Sequence, residues 1–124
     1  QDADAWERVG RLRLRLMDRA GAREALERAR RLGPSVDGLL DLALVLHLQG
    51  DVGGEVTACE QATLLDRQSP EAWARYAHAL ARTDRASDAI AACEHALALD
   101  PENAEVTDLL TRLRDQVPRV LPAA

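Results

Sequence analysis

The 124-residue chain has no phenylalanine, no lysine and one isoleucine, Ile90. Its aromatic side chains are Trp6, Trp73 and Tyr76. β-Branched and aromatic residues favour strands, whereas Leu and Ala, which dominate the apolar positions here, favour helices. The shortage argues against a β-rich fold and for an all-α one. Two cysteines, Cys59 and Cys93, are too few for a disulfide scaffold. No apolar run approaches the roughly 20 residues that cross a bilayer; the longest, around Leu39–Leu48, is interrupted by Asp41 and His47. A membrane role is therefore not expected. The N-terminus has no basic-then-apolar leader, and the chain begins at Gln1 without Met, as expected of a trimmed chain or a piece of a longer protein.

What is present is an apolar fraction of 47% and a charged fraction of 30%, a balance that argues against intrinsic disorder. Sixteen basic residues, all arginine, face 21 acidic ones, for a net charge of −5. General nucleic-acid binding needs a basic face, so no nucleic-acid partner is expected. A composition rich in Leu and Arg and free of Lys fits a bacterial, cytoplasmic protein.

The organisation emerges when the chain is shifted on itself by 34 residues. Leu39 then falls on Trp73, Leu42 on Tyr76, Ala43 on Ala77 and Leu46 on Leu80. Further along, Cys59 falls on Cys93, Ala62 on Ala96, Leu65 on Leu99 and Asp66 on Asp100. Trp73, Tyr76, Ala77 and Leu80 are spaced i, i+3, i+4, i+7 and share one helical face. Ala89, Cys93, Ala96 and Leu99 form a second stripe after a break at Thr83-Asp84-Arg85. Two amphipathic helices with a tight turn make an antiparallel hairpin. In the middle unit Gly50 is placed to end one helix and Asp51 to cap the next; Ser69-Pro70 supplies a cap and a first-turn proline for the following hairpin.

Trp73, Tyr76, Ala77, Leu80, Ala89, Cys93, Ala96 and Pro101 resemble the signature positions of the tetratricopeptide-repeat family, and Asp100–Glu105 resembles its inter-repeat junction. An earlier copy runs from Trp6, Val9 and Gly10 through Ala22, Leu26, Ala29, Leu32 and Pro34, one residue short. Its first helix contains Leu12, Leu14 and Leu16 alternating with Arg, a strand-like pattern that the repeat context assigns to a helix. Val106, Leu109, Leu110 and Leu113 make one further apolar stripe, as a terminal capping helix requires. The resemblance implies a right-handed superhelical stack of three antiparallel helical hairpins, a tetratricopeptide solenoid, plus a C-terminal capping helix. The expected boundaries are a domain over 1–117, with repeats at about 3–35, 36–69 and 70–103 and a cap at about 103–116, and a tail over 118–124.

Small residues are expected where helices cross: Gly10 with Ala22, Ala77 with Ala89, and Ala29, Ala62 and Ala96 toward the next hairpin. Glu55 breaks this pattern, beside Gly53-Gly54, where a small residue belongs. A frayed or rotated start to that helix is the plain expectation, and a flex point the functional one.

Catalytic chemistry finds no foothold. His47, His78 and His95 have no metal-ligand spacing, and Cys93 and His95 point apart on a helix. Cys59 and Cys93 occupy equivalent repeat positions as small buried apolar residues. Ser35, Ser69 and Ser87 sit at helix starts, and no nucleophile elbow or phosphate-cradling loop exists. The chain is not expected to be an enzyme, nor to need a metal or cofactor.

In the resembled family the first helix of each hairpin lines a concave groove. That implies Arg8, Arg11 and Arg15 from the first repeat; Leu40, Asp41, Leu44, His47 and Leu48 from the second; and Arg75, His78 and Arg82 from the third, with Asp37 and Glu71 beside them. The Leu40/Leu44/Leu48 stripe, opposite the packing face of its helix, gives an apolar floor with basic rims. The expected partner is a protein, as an extended or helical peptide with apolar anchors and acidic flanks. Members of the family that bind chaperone tails hold a carboxylate with Lys, Asn, Asn, Lys and Arg. The corresponding residues here are Glu7, Arg11, Asp41, Glu71 and Arg75, and only Arg75 matches, so that ligand is not expected. The alternatives are self-association as a scaffold or homo-oligomer, and the non-catalytic interaction arm of a larger enzyme.

Overall fold

A computed structural model describes residues 2–116; the tail expected over 118–124 lies outside them. Seven helices follow in order: α1 (Ala3–Arg15), α2 (Arg19–Leu32), α3 (Val36–Leu48), α4 (Val52–Leu65), α5 (Pro70–Ala81), α6 (Ala86–Leu99) and α7 (Ala104–Gln116). No strand occurs among the described residues, and no described helix is long and apolar enough to cross a membrane. The fold is all-α: three antiparallel hairpins stacked in sequence, with α7 packed against the last.

Caps set the helix starts. Backbone N–H groups donate to side-chain oxygens of Asp18, Ser35, Asp51, Ser69 and Asn103, each three residues ahead of the donor. Pro70 occupies the first turn of α5, where its missing N–H is harmless. Gly50 ends the α3 region with a φ of 77°, in the left-handed region that glycine enters freely. At the equivalent turn between α1 and α2, Met17 takes a φ of 64° with a side chain in its place.

The strand-like alternation of Leu12, Leu14 and Leu16 lies on helix α1 and its C-cap. Only Leu14 packs on the core; Leu12 and Leu16 are exposed. Gly10 is required by a close crossing, because a Cβ there would sit 2.5 Å from Leu26 Cγ. The atoms nearest to that point belong to Leu26, and Ala22, the expected small partner, is fully buried. The core runs through Leu26, Leu42, Leu46, Cys59, Leu80 and Cys93 to Val106 and Leu113. A smaller cluster joins Leu39, Leu40, Ala62 and Ala72 between α3, α4 and α5. Both cysteines are buried and unpaired.

Ala96 is 1% exposed in that core, so Ala96→Leu is expected to destabilise by about 1–3 kcal/mol through overpacking. Arg85 reaches only Asp88 on the surface, and Arg85→Ala should leave the melting temperature nearly unchanged. Equal shifts in the two thermal melts would contradict the register of α6.

Candidate functional site

The odd-numbered helices touch in succession, α1 to α3, α3 to α5 and α5 to α7, and build one continuous face. The even-numbered helices bring no Cα atoms within 8 Å of one another among the described residues, although Arg23 of α2 reaches Asp51, the N-cap of α4, at 3.3 Å. The residues expected to line the groove are carried by α1, α3 and α5, with Arg82 at the C-cap of α5, and their surroundings differ.

Leu40 is 5% exposed, packed with Leu39, Ala62 and Ala72, so it belongs mainly to the core. Leu44 and Leu48 are 37% and 39% exposed. Of these leucines only Leu44 borders two clefts, and Arg75 borders the same two. One, of about 240 Å³, is lined by Arg11, Asp37, Leu40, Asp41, Glu71 and Arg75 beside it. The other, of about 150 Å³, has His47, Glu55, Cys59, His78 and Arg82 around it. A third hollow of about 260 Å³ continues toward α7, between His78, Arg82, Leu109, Arg112 and Leu113. Leu48 borders none of these three; its carbonyl accepts a hydrogen bond from Arg19 at 3.1 Å.

The basic rims expected from the sequence are largely neutralised within the chain. Arg11 donates through Nε to Asp41 at 2.6 Å, bridging α1 and α3. That bond holds the Arg11 guanidinium more firmly protonated than usual. Arg75 lies 3.6 Å from Glu71 one turn earlier. Arg82 pairs with Oε2 of Glu55, linking α5 to α4. Arg8 and Arg15 are exposed and form no ion pair among the described residues. Burial lowers the pKa of His78 from its ordinary value, opposed by nearby Glu105 and reinforced by Arg82, Arg112 and Arg75. His78 therefore favours its neutral form, with a donor and an acceptor nitrogen.

The structure shows no rotated start to α4. The helix begins normally at Val52, with Asp51 accepting from Gly54 N–H at 2.9 Å. Glu55 is 6% exposed and turns inward, where Arg82 takes one oxygen and His47 Nδ1 stands 3.5 Å from the other. The large residue at a small-residue position is a tie between hairpins and not a flaw in the helix.

A second buried carboxylate escaped sequence reasoning. Glu7 is 5% exposed, and Ser35 Oγ donates to it. Gly38 makes room: a Cβ there would meet the Glu7 carboxylate. A glycine in the first turn of α3 was the available signal, but its neighbour lies 31 residues away in sequence and periodicity does not identify it. Arg112 was also missed, because α7 reads only as a cap.

Beneath the groove, burial pushes the Cys59 thiol up to about 12, with the Glu55 charge adding to the shift and Arg75 and Arg82 opposing it. Such a thiol is unreactive at neutral pH. Unfolded, it ionises from its ordinary value of 9.0; folded, it keeps its proton to about 12. The native state then binds more protons, so stability falls as pH rises through that window. Urea titrations between pH 9 and 11 should show this fall, and Cys59→Ala should flatten it. A slope unchanged in the variant would contradict the burial of the thiol.

Arg82→Ala strands a buried carboxylate and should destabilise by about 1–3 kcal/mol. Glu55→Ala restores the small residue of the repeat and should be much milder, and the double variant should match it. A denaturation cycle in which the two single effects simply add would argue against the tie.

Two family models for the tetratricopeptide repeat match the sequence, over residues 8–63 and 56–113, and together they span 8–113. No curated protein matches. Among solved structures, the first TPR of Spaghetti (RPAP3) bound to an HSP90 peptide superposes with a TM-score of 0.85 at 19% identity, covering 93% of this chain and 92% of that one. The Arabidopsis OM64 TPR domain gives 0.83 at 22% identity, over 93% and 96%. The second TPR domain of human RPAP3, in complex with an HSP70 peptide, gives 0.82 at 21% identity, over 90% and 94%. These likenesses establish the shared fold.

Proposed function

The chain belongs to the tetratricopeptide-repeat family, and from that premise we propose that it is a non-catalytic interaction module holding a partner peptide or helix along α1, α3, α5 and α7. The observation that carries this reading is Leu44. It is a partly exposed leucine on the groove face, bordered by two clefts whose arginines are engaged by Asp41, Glu71 and Glu55. A partner apolar side chain laid on it would contribute about 1.5–3 kcal/mol before ordering costs.

The proposed site is Leu44 with Arg11, Asp41, His47, Arg75, His78 and Arg82 around it, Arg8 and Arg15 at the α1 end, and Leu40 and Leu48 as floor and margin. Acidic flanks of the partner are best received toward α7, where Arg112 forms no ion pair among the described residues and stands beside His78 and the Glu55-paired Arg82. Elsewhere a partner carboxylate must compete with Asp41 or Glu71 for its arginine.

Two of the structural neighbours are bound to HSP90 and HSP70 peptides. Those ligands are not carried over. Glu7, which stands where the chaperone-tail pattern has lysine, is buried against Ser35, and Arg11 is committed to Asp41.

A second reading is self-association. Leu12, Leu16 and Met17 are 55%, 69% and 75% exposed near the α1–α2 turn, an apolar group that a second copy could cover. Sedimentation at two concentrations decides, and a monomer at both removes it.

Leu44→Asp is expected to abolish partner capture in side-by-side affinity experiments while leaving the melting curve close to wild type. Unchanged capture of the same specific proteins would place the site elsewhere.

A further inference from the structure

A cleft of about 640 Å³ lies outside the groove. It lies on the α2–α4 side, with Leu39 among its walls and Gln61, Leu64 and Leu65 from α4 beside it. Arg30 and Arg31 stand at the end of α2, and no carboxylate lines it. Leu64 and Leu65 are 60% and 49% exposed, an unusual pair of leucines to leave in water.

Its origin can be read from the repeat. In the third unit, Trp73 stacks on His95, with ring centroids 4.3 Å apart and planes 14° from parallel. In the first unit, the Arg28 guanidinium lies over the Trp6 ring at 4.7 Å. Shifting back by 34 residues from Trp73 and His95 gives Leu39 and Gln61; shifting back a further 33 gives Trp6 and Arg28. Each outer hairpin therefore has an indole covered by a flat cationic or imidazole group from its second helix. The middle hairpin has the smaller leucine and an amide at the same two places, and both line the cleft. Since no Cα of α2 comes within 8 Å of one in α4, no neighbouring backbone fills the space that an indole at this position would take.

We propose that this cleft is a second binding site, which takes an aromatic side chain, tryptophan by preference, from an acidic segment of a partner protein. The indole lies against the exposed Leu64 and Leu65 and along Gln61, above the buried Leu39, at the repeat position that Trp6 and Trp73 hold in the outer hairpins. A neighbouring Asp or Glu of the partner meets Arg30 and Arg31, neither of which has an ion-pair partner among the described residues. In a chain with a net charge of −5, this carboxylate-free end of the cleft is the local exception that draws an anion. The site is separate from the groove around Leu44 and does not depend on its reading.

Indole-3-propionate, which joins an indole to a carboxylate, is the probe, and cyclohexanecarboxylate is its non-aromatic control. Titrated into the 15N-labelled protein, indole-3-propionate should shift the amides of Thr57, Gln61, Leu64 and Leu65 saturably, with a dissociation constant of about a millimolar, as befits a ligand this small. The control should bind at least about fivefold more weakly, given the worth of aromatic contacts. The double variant Leu39→Trp/Gln61→His installs the missing pair from the chain's own third repeat, and these shifts should vanish in it. Arg30→Glu/Arg31→Glu alters only the rim and should weaken binding at least about fivefold, since hydrogen bonds to charged groups are lost. Should the filled variant fail to fold by circular dichroism, the rim variant decides alone. Absence of saturable shifts in the wild type, shifts centred on Leu44, or shifts that survive in both variants would overturn the proposal. So would self-association of the wild type that is lost on filling, because the cleft would then belong to a second copy.

Discussion

Antiparallel helices in this chain approach closely because, at each crossing, one of them offers little more than backbone. Ala22, Ala58, Ala62, Ala77, Ala92 and Ala96 are all essentially without solvent contact, and Gly10 leaves space that Leu26 occupies. Interhelical distance sets how far a leucine or cysteine reaches into the next hairpin, and so fixes the pitch of the stack. The groove and the α2–α4 cleft are both consequences of that pitch. Where the series of small residues is broken, at Glu55, the added side chain is accommodated because an arginine from the next hairpin neutralises it.

The groove is organised by internal electrostatics more than by its formal charge. Arg11, Arg75 and Arg82 each have a carboxylate within the chain. These pairs hold the side chains in defined positions, which lowers the ordering required when a ligand arrives. In the proposed binding mode they also disfavour an acidic sequence that brings no apolar anchor, a form of selection by competition. The α7 end differs, because Arg112 stands there beside leucines with no ion pair among the described residues.

Much of the architecture was legible from the 34-residue offset, because a repeat states the same structural instruction more than once. Helix limits followed from Ser69-Pro70, Gly50 and Asp51, whose effects are local. Site details were less legible, for a physical reason. Whether Leu40 or Leu44 is exposed depends on how far α3 is rotated against α5, and both read as apolar in sequence. Whether Arg11 is free depends on Asp41, 30 residues away. Glu55 was recognisable as an exception, but its partner Arg82 lies in the next repeat, and only packing brings them together.

Stacked repeats hold together through neighbours alone, so their stability is a chain of local contributions and opens at its weakest link. Met17 bears on where that link lies. Its φ of 64° belongs to the region that Gly50 occupies at the matching turn, and a side chain held there carries about 1 kcal/mol of strain or more. Leu12 and Leu16 beside it gain little from folding, since both remain largely in water. The last hairpin is covered by Val106, Leu109, Leu110 and Leu113 of α7. The α1–α2 turn thus carries a local cost that the α3–α4 turn, with glycine at the matching place, is spared.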